Sequence, residues 1–142
     1  MSKVDTKLIN TTALAYLGDA VYEVEVRRRM MVAGTENVDR LHQMSVKFVR
    51  AEGQAYAIKQ MLNDLTEEEL AIVKRARNRK IVSKPKNLAP VIYKLATAFE
   101  ALIGYLYLNK EDERLDVVIS HSIEIIGKRV ENNERKTEQK YT

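Results

Sequence analysis

The segment KLATAFEALIGYLYL, residues 94–108, is almost entirely apolar or small, but it carries one acid, Glu100, near its middle. Between Asn87 and Asn109 the only charged residues are Lys94 and Glu100. A helix that is apolar around its whole circumference is typical of a protein core, so this segment predicts the central, buried helix. A buried carboxylate must be protonated, paired with a cation or bound to a metal. A structural ion pair and a functional site are both compatible with Glu100 at this point.

The composition of the 142-residue chain favours one all-α domain. Its 45% hydrophobic residues suffice for a single core, and 5 glycines with 2 prolines are few for a fold of many short strands. Because there is no cysteine, disulfides and thiolate metal sites are excluded. The polar start MSKVDTKLINTT lacks the apolar region of a secretory signal, and the charges at Lys94 and Glu100 disfavour a membrane span. We therefore expect a cytoplasmic protein that does not associate with a membrane.

The spacing of apolar residues predicts five helices. They cover residues 11–32, residues 38–62, a segment capped by Thr66 that runs toward Arg77, a segment beginning near Pro90, and residues 114–130. In the first helix Leu14, Leu17, Val21 and Val24 share one face. The last dozen residues are polar, so we expect residues 1–130 to form the domain and residues 131–142 a fraying tail.

The first helix also carries an acid, Asp19, on the side opposite that apolar face. It lies there among Thr12, Ala15, Tyr22 and Val26, with Gly18 next to it. A glycine at this place would let the first helix pack closely against the central helix and bring Asp19 near Glu100. Two carboxylates that converge from different helices form a site of hard oxygen ligands. Such a site suits Mg²⁺, which keeps several waters and binds phosphate.

The positive charge of the chain is concentrated in one segment. The net charge is +4, but KRARNRKIVSKPK, residues 74–86, holds 7 basic residues and no acid, and the rest of the chain has a net charge of −3. Ser83 and Pro85 predict that this segment leaves the preceding helix as a loop. Clustered Lys and Arg residues favour a densely negative partner, with nucleic acid as the first candidate. The alternative is a solvated loop beside an acidic stretch of the same fold, such as TEEE at residues 66–69.

Two segments together resemble the signature sequences of the ribonuclease III catalytic domain. They are LAYLGDAVYE, residues 14–23, and ATAFEALIGYLYL, residues 96–108. The resemblance extends over essentially the full chain and is strongest to the short bacterial form, Mini-ribonuclease III. It implies an all-helical homodimer that hydrolyses double-stranded RNA with Mg²⁺, or Mn²⁺ as a substitute, through a metal-activated water. The products would carry 5′-phosphate and 3′-hydroxyl ends.

The same resemblance assigns roles to individual residues. Asp19 and Glu100 would be the catalytic residues and the metal ligands. Full-length ribonuclease III has further carboxylates where this chain has Thr12, Ala15 and Thr97, so the resemblance gives less support for a second metal ion. We also expect no separate domain that binds double-stranded RNA, so the basic segment becomes the candidate RNA contact. Its candidate residues are Arg75, Arg77, Asn78, Lys80, Lys84 and Lys86.

The short form of the family is associated with trimming the 23S ribosomal RNA precursor. The resemblance therefore also implies that precursor as substrate and allows a large-subunit ribosomal protein as a further partner. Two other functions are compatible with the sequence. One is a catalytically inert, ribosome-associated RNA-binding module of the same fold, which would have no reason to retain both acids. The other is an all-α metal phosphohydrolase of nucleotides, which would not need the basic segment.

Overall fold

The computed structural model describes residues 4–141 and contains no strand within them. Its helices are α1 (Thr11–Val32), α2 (Val38–Val49), α3 (Ala51–Met61), α4 (Glu67–Asn78), α5 (Pro90–Leu108) and α6 (Asp112–Tyr141), and a 3₁₀ turn, Leu62–Asp64, follows α3. The prediction of an all-α fold is confirmed. The helices predicted to start near residue 11, after Thr66 and near Pro90 begin at those places.

Helix α5 is the centre of the fold. It packs against α1, α3, α4 and α6, and Phe99, Leu102 and Leu106 are fully buried. Pro90 occupies the first helical turn, where its missing N–H removes no hydrogen bond. Among the described residues, α5 alone is long and apolar enough to cross a membrane, and its burial is that of a core helix. The predicted central position of this helix is confirmed.

The backbones of α1 and α5 approach each other closely at two glycines. A Cβ atom on Gly18 would overlap the carbonyl oxygen of Glu100, and a Cβ atom on Gly104 would overlap the carbonyl oxygen of Leu14. Only glycine fits at these two positions, because any side chain would meet backbone that cannot move aside. This contact fixes the separation and the register of the two helices that carry the acids.

The apolar face predicted for α1 is only partly its core face. Leu14 is buried, but Leu17 and Val21 are half-buried and Val24 is 62% exposed. The buried residues of α1 lie instead on the mixed face and are Thr11, Leu14, Ala15, Gly18, Tyr22, Val26 and Met30. Small residues on this face allow the close contact with α5, so packing geometry outweighs the number of apolar residues on the other face.

The single long helix predicted over residues 38–62 is two helices, and this prediction is wrong. The chain is extended at Arg50, with φ −64° and ψ 146°, between α2 and α3. The break leaves carbonyl oxygens of α2 without helical donors. The hydroxyl of Tyr22 donates to the carbonyl of Phe48 at 2.9 Å, and the side-chain amide of Gln54 donates to that of Val49 at 3.3 Å. Tyr22 lies on α1, so a contact between distant segments supports the break. The spacing of apolar residues within 38–62 carries no information on such a contact.

Helix α4 has opposite charges at its two ends. The predicted capping box is present: Thr66 accepts from the backbone N–H of Glu69 at 3.2 Å, and the Glu69 carboxylate accepts from the N–H of Thr66 at 2.9 Å. Glu69 is also buried and bound by Arg114 through two hydrogen bonds of 2.9 Å. Burial alone would raise the pKa of Glu69, but the hydrogen bonds from Arg114 and the Thr66 backbone lower it overall. The acidic stretch is thus engaged at the end of α4 opposite to the basic segment.

Helix α6 continues through the segment predicted to be a fraying tail. It is helical to Tyr141, and residues 131–140 are exposed. Within this stretch Arg135 and Glu131 form an ion pair at 3.0 Å with the spacing that supports exposed helices. The low apolar content predicted little burial, and residues 131–140 are exposed although they are helical. Residue 142 lies outside the described residues, as do residues 1–3 at the other terminus.

Substitution of the contact glycine tests the α1–α5 packing. We expect Gly18→Ala to lower the free energy of unfolding by about 3 kcal/mol, because the new methyl group would overlap the backbone of α5. Gly127→Ala is the matched control. Its Cβ would lie 3.7 Å from Phe48, an ordinary contact, so alanine should stabilise α6 by up to about 1 kcal/mol. Urea unfolding of both variants measures the difference, and equal stabilities would contradict the close contact.

Candidate active site

The α1–α5 contact brings Asp19 and Glu100 together. Asp19 follows Gly18, and the backbone of Gly18 lies against the backbone of Glu100. The two carboxyl groups are close enough for Asp19 to act on the pKa of Glu100, both as a hydrogen-bond partner and as a negative charge. Asp19 is exposed, whereas Glu100 is half-buried between the helices. The pair therefore has one carboxyl group open to solvent and one supported by the core.

The electrostatic environment of Glu100 is unfavourable to its charged form. Burial, followed by the hydrogen bond and the negative charge of Asp19 and by the charge of Glu23, raises the pKa of Glu100 to about 8. Among residues 4–141 no Lys, Arg or His forms an ion pair with Glu100. The structural ion pair considered from the sequence is therefore not found within these residues. Strongly perturbed carboxyl groups of this kind are concentrated at functional sites.

The pair offers the right donors for a hard divalent cation but does not enclose one. Carboxylate oxygens are the ligands that Mg²⁺ prefers, and two of them converge here. Within the described part of the chain, no group of three His, Cys, Asp or Glu residues is placed to hold a metal ion. Glu23, one turn after Asp19, adds negative charge and pairs with Arg27 at 3.4 Å. Water and phosphate oxygens would fill the other coordination positions of a cation held by Asp19 and Glu100.

The basic segment leaves α4 as the sequence predicts. Helix α4 ends at Asn78, and residues 79–89 connect it to α5. Asn78, Lys80, Lys84 and Lys86 are exposed, and these three lysines form no ion pair with a described acid. The lysines are therefore available to a negatively charged partner.

The arginines of the segment differ from these lysines. Arg75 donates to the backbone carbonyl of Ile9 at 3.0 Å and also to that of Thr6, so it fastens the chain before α1 to α4. Arg77 is half-buried. Arg79, which sequence reasoning did not select, donates to the side-chain oxygen of Asn10 at 3.4 Å. The basic residues are thus divided between holding the start of α1 and facing solvent.

Residues 12–111, a stretch that contains both carboxylates, match the profile of the Ribonuclease III domain family. The chain belongs to the ribonuclease III family. It is therefore an endoribonuclease of the ribonuclease III type, and Asp19 and Glu100 lie at the positions that the resemblance assigned to the acids of the two signature segments.

Several relatives match the chain over most of its length. The chain is 39% identical over 132 residues to Mini-ribonuclease 3 of Clostridium tetani. This alignment covers 92% of the chain and 87% of that protein. The chain is 42% identical over 123 residues to Mini-ribonuclease 3 of Streptococcus pneumoniae, and this alignment covers 85% of the chain and 96% of that protein. A crystal structure of a Fusobacterium nucleatum protein superimposes with a TM-score of 0.75 at 37% identity, covering 87% of this chain and 98% of that one.

The raised pKa of Glu100 predicts how stability depends on pH in the absence of metal. Between the ordinary value of 4.5 and about 8, the folded ribonuclease III domain keeps a proton that the unfolded chain has lost. Stability should therefore fall as pH rises through this range, by at most about 1.4 kcal/mol per pH unit from this group. Glu100→Gln should flatten the decline, and Glu113→Gln, at an exposed position, should not. Urea unfolding from pH 5 to 9 measures the slopes, and parallel curves for wild type and Glu100→Gln would contradict the buried acid.

Proposed function

We propose that this endoribonuclease cleaves both strands of double-stranded RNA by Mg²⁺-dependent hydrolysis, leaving 5′-phosphate and 3′-hydroxyl ends. The observation that carries the proposal is the meeting of Asp19 and Glu100 at an open site without a cationic partner among the described residues. Because the two carboxyl groups have no cationic side chain beside them, they are suited to bind a divalent cation. The basic loop on the neighbouring part of the surface supplies the attraction for RNA.

Asp19 and Glu100 are the residues that would hold the metal, and Mn²⁺ is expected to replace Mg²⁺. When bound, the cation supplies the positive charge that lowers the pKa of a water molecule and neutralises charge on the phosphate under attack. Glu100 must lose its proton to serve as a ligand, so metal binding and deprotonation are coupled. Asp19 is exposed, so it would bind the metal from the side of the site that is open to solvent. No side chain of the protein is required as a nucleophile.

Recognition of the RNA is assigned to the loop. Asn78, Lys80, Lys84 and Lys86 are exposed and suited to contact phosphates. Arg75 and Arg77 were predicted for the same role, but the hydrogen bonds of Arg75 and the partial burial of Arg77 favour a supporting role for both. Because double-stranded RNA is recognised mainly by its shape, phosphates and 2′-hydroxyls, we expect a modest sequence preference.

The working enzyme is proposed to be a homodimer. A cavity of about 480 Å³ opens on the apolar face of α1 that the core does not use, where Val21 and Val24 meet Leu115 and Ile119 of α6. Tyr107, which also lines this cavity, is 50% exposed, and Val24 is 62% exposed. Apolar surface of this kind is typical of an interface between protein chains. Two copies would present two Asp19–Glu100 pairs, one for each RNA strand.

The remaining assignments follow from membership of the short branch of the family. We propose a cytoplasmic enzyme, not associated with a membrane, that matures the ends of the 23S ribosomal RNA precursor. A large-subunit ribosomal protein is a candidate helper. Residues 1–130 are assigned as the catalytic domain, and the exposed end of α6 beyond residue 130 as a polar extension. An inert RNA-binding module of the same fold is disfavoured because both acids are present and converge.

The proposed chemistry is tested by Glu100→Gln. This change preserves shape but removes the charge that holds the metal, so cleavage of long duplex RNA with Mg²⁺ should fall by at least about 100-fold while binding of the duplex is retained. Asp19→Asn should behave alike. Glu113→Gln controls for the loss of one negative charge. Products on denaturing gels, with free nucleotides and metal-free reactions in parallel, measure the effect, and full activity of Glu100→Gln would remove it from the mechanism.

A mixed dimer sharpens this test. A heterodimer with one Glu100→Gln subunit, isolated by differential tagging, should nick duplex RNA and not break both strands in one encounter. Coordinated double-strand breaks from the heterodimer would contradict one active site for each strand. A monomeric protein in sedimentation experiments would contradict the dimer itself.

The RNA-binding role of the loop is tested by replacing Lys80, Lys84 and Lys86 with Gln. We expect weaker binding of duplexes of any sequence and a salt dependence that is shallower by about 0.7 to 0.9 for each lost phosphate contact. The matched control replaces Lys59, Lys110 and Lys136 with Gln, which removes the same charge elsewhere. Equal effects of the two sets on filter binding at several salt concentrations would show that net charge, and not the loop, attracts the RNA.

A further inference from the structure

A polar cavity lies on the two helices that carry Asp19 and Glu100. It has a volume of about 280 Å³ and opens between the start of α1, the end of α4 with its loop, and the first half of α5. The polar residues that line it carry hydroxyl or cationic side chains and are Thr12, Arg79, Lys80, Ser83, Tyr93, Lys94 and Thr97. No carboxylate lines it. The composition is that of a site for an anion.

The cations of this cavity have no anionic partner among the described residues. Arg79 donates to the neutral side chain of Asn10, and neither Lys80 nor Lys94 forms an ion pair with an acid of residues 4–141. Lys94 is half-buried and is the only cation on α5. Removing an ammonium group partly from water is unfavourable unless it gains a partner. Lys94 is therefore available to an anion supplied from outside the chain.

The cavity and the acid pair are neighbours on the same two helices. Thr97 precedes Glu100 by one helical turn on α5, about 5 Å along the axis. Thr12 precedes Asp19 by two turns on α1, about 10 Å along that axis. Residues at these spacings share a helix face. A strand of RNA with one phosphate at the acids would therefore pass a nearby phosphate over the cavity.

We propose that this cavity binds one phosphodiester group of the RNA strand that Asp19 and Glu100 cut, close to the cleaved bond. Lys94 is the central cation, Lys80 and Arg79 close one side, and the hydroxyls of Thr12 and Thr97 donate hydrogen bonds to the phosphate oxygens. This inference rests on the proposed function and extends it. The acids would hold the cleaved phosphate through metal, whereas the cavity would hold its neighbour directly and so set the position of the strand along the site.

The first experiment requires neither RNA nor catalysis. Metal-free protein is titrated with inorganic phosphate while the backbone amide signals of Lys94 and Thr97 are followed by NMR. We expect saturable shifts with millimolar affinity, at least about 10-fold weaker in Lys94→Met and unchanged in Lys59→Met, an exposed lysine of α3. Thr97→Val should weaken binding without a change of charge. Absent shifts, or the same affinity in Lys94→Met, would overturn the phosphate site whether or not the protein cuts RNA.

The second experiment locates the phosphate on the substrate. Duplexes that carry one uncharged methylphosphonate linkage, moved stepwise through the nucleotides around the cut, are tested for kcat/KM. In the wild type, a methylphosphonate at one position flanking the cut should lower kcat/KM by about 10-fold. In Lys94→Met the unmodified duplex should already show that loss, and the same linkage should cause no further loss. Lys59→Met should keep the wild-type profile.

The outcomes separate the cavity from the proposed function. If Lys94→Met shows the same positional profile as the wild type, the cavity does not contact the strand, although cleavage by Asp19 and Glu100 stands. If the wild type does not cut duplex RNA at all, the proposed function fails, and the phosphate titration decides the cavity by itself. A melting temperature of Lys94→Met within about 2 °C of that of the wild type would show that the variant is folded and that its effects on binding and cleavage do not result from unfolding.

Discussion

The contact between Gly18 and Gly104 is the constraint on which the rest of the structure depends. Each glycine lies where a Cβ atom would overlap backbone of the other helix, so the backbones of α1 and α5 are in direct contact. The acids project from positions directly beside this contact. A wider spacing would move Asp19 away from Glu100 and fill the gap with side chains. The same contact thus accounts for the burial of α1 on its mixed face and for the geometry of the site.

The second determining feature is the environment of Glu100. The fold removes this carboxyl group partly from water and places Asp19 against it, and no described cation compensates. The fold therefore holds an arrangement that lowers its own stability when the acid is charged. A divalent cation would reverse the sign of that interaction, because both carboxylates would then be ligands and no longer repel each other. A loss of stability where side chains are held ready for chemistry is a common cost of preorganisation.

Charge is separated along the chain in a way that supports this arrangement. At the start of α4 the acid Glu69 is bound to Arg114, and the positive residues collect around the opposite end of the helix. There Arg75 and Arg79 fasten the start of α1, while the lysines of the loop face solvent. The part of the surface that would meet RNA is therefore positive although most of the chain is not. One short segment anchors α1 and, in the proposed function, attracts the RNA.

The sequence by itself determined the helical class, most helix positions and the buried α5, because these depend on local spacing and capping residues. It also singled out Asp19 and Glu100 as the candidate acids, because they stand in two recognisable motifs. It did not reveal the break at Arg50, whose freed carbonyl is satisfied by Tyr22 from another helix. Nor did it identify the core face of α1, since the number of apolar residues favoured Val21 and Val24. Only the tertiary structure decided these two features and the cavity at Lys94. The approach of Asp19 to Glu100 was predicted from Gly18, but the close backbone contact that produces it is visible only in the structure. The physical reason is that each depends on how closely two distant segments approach, and that distance is set by packing across the whole core.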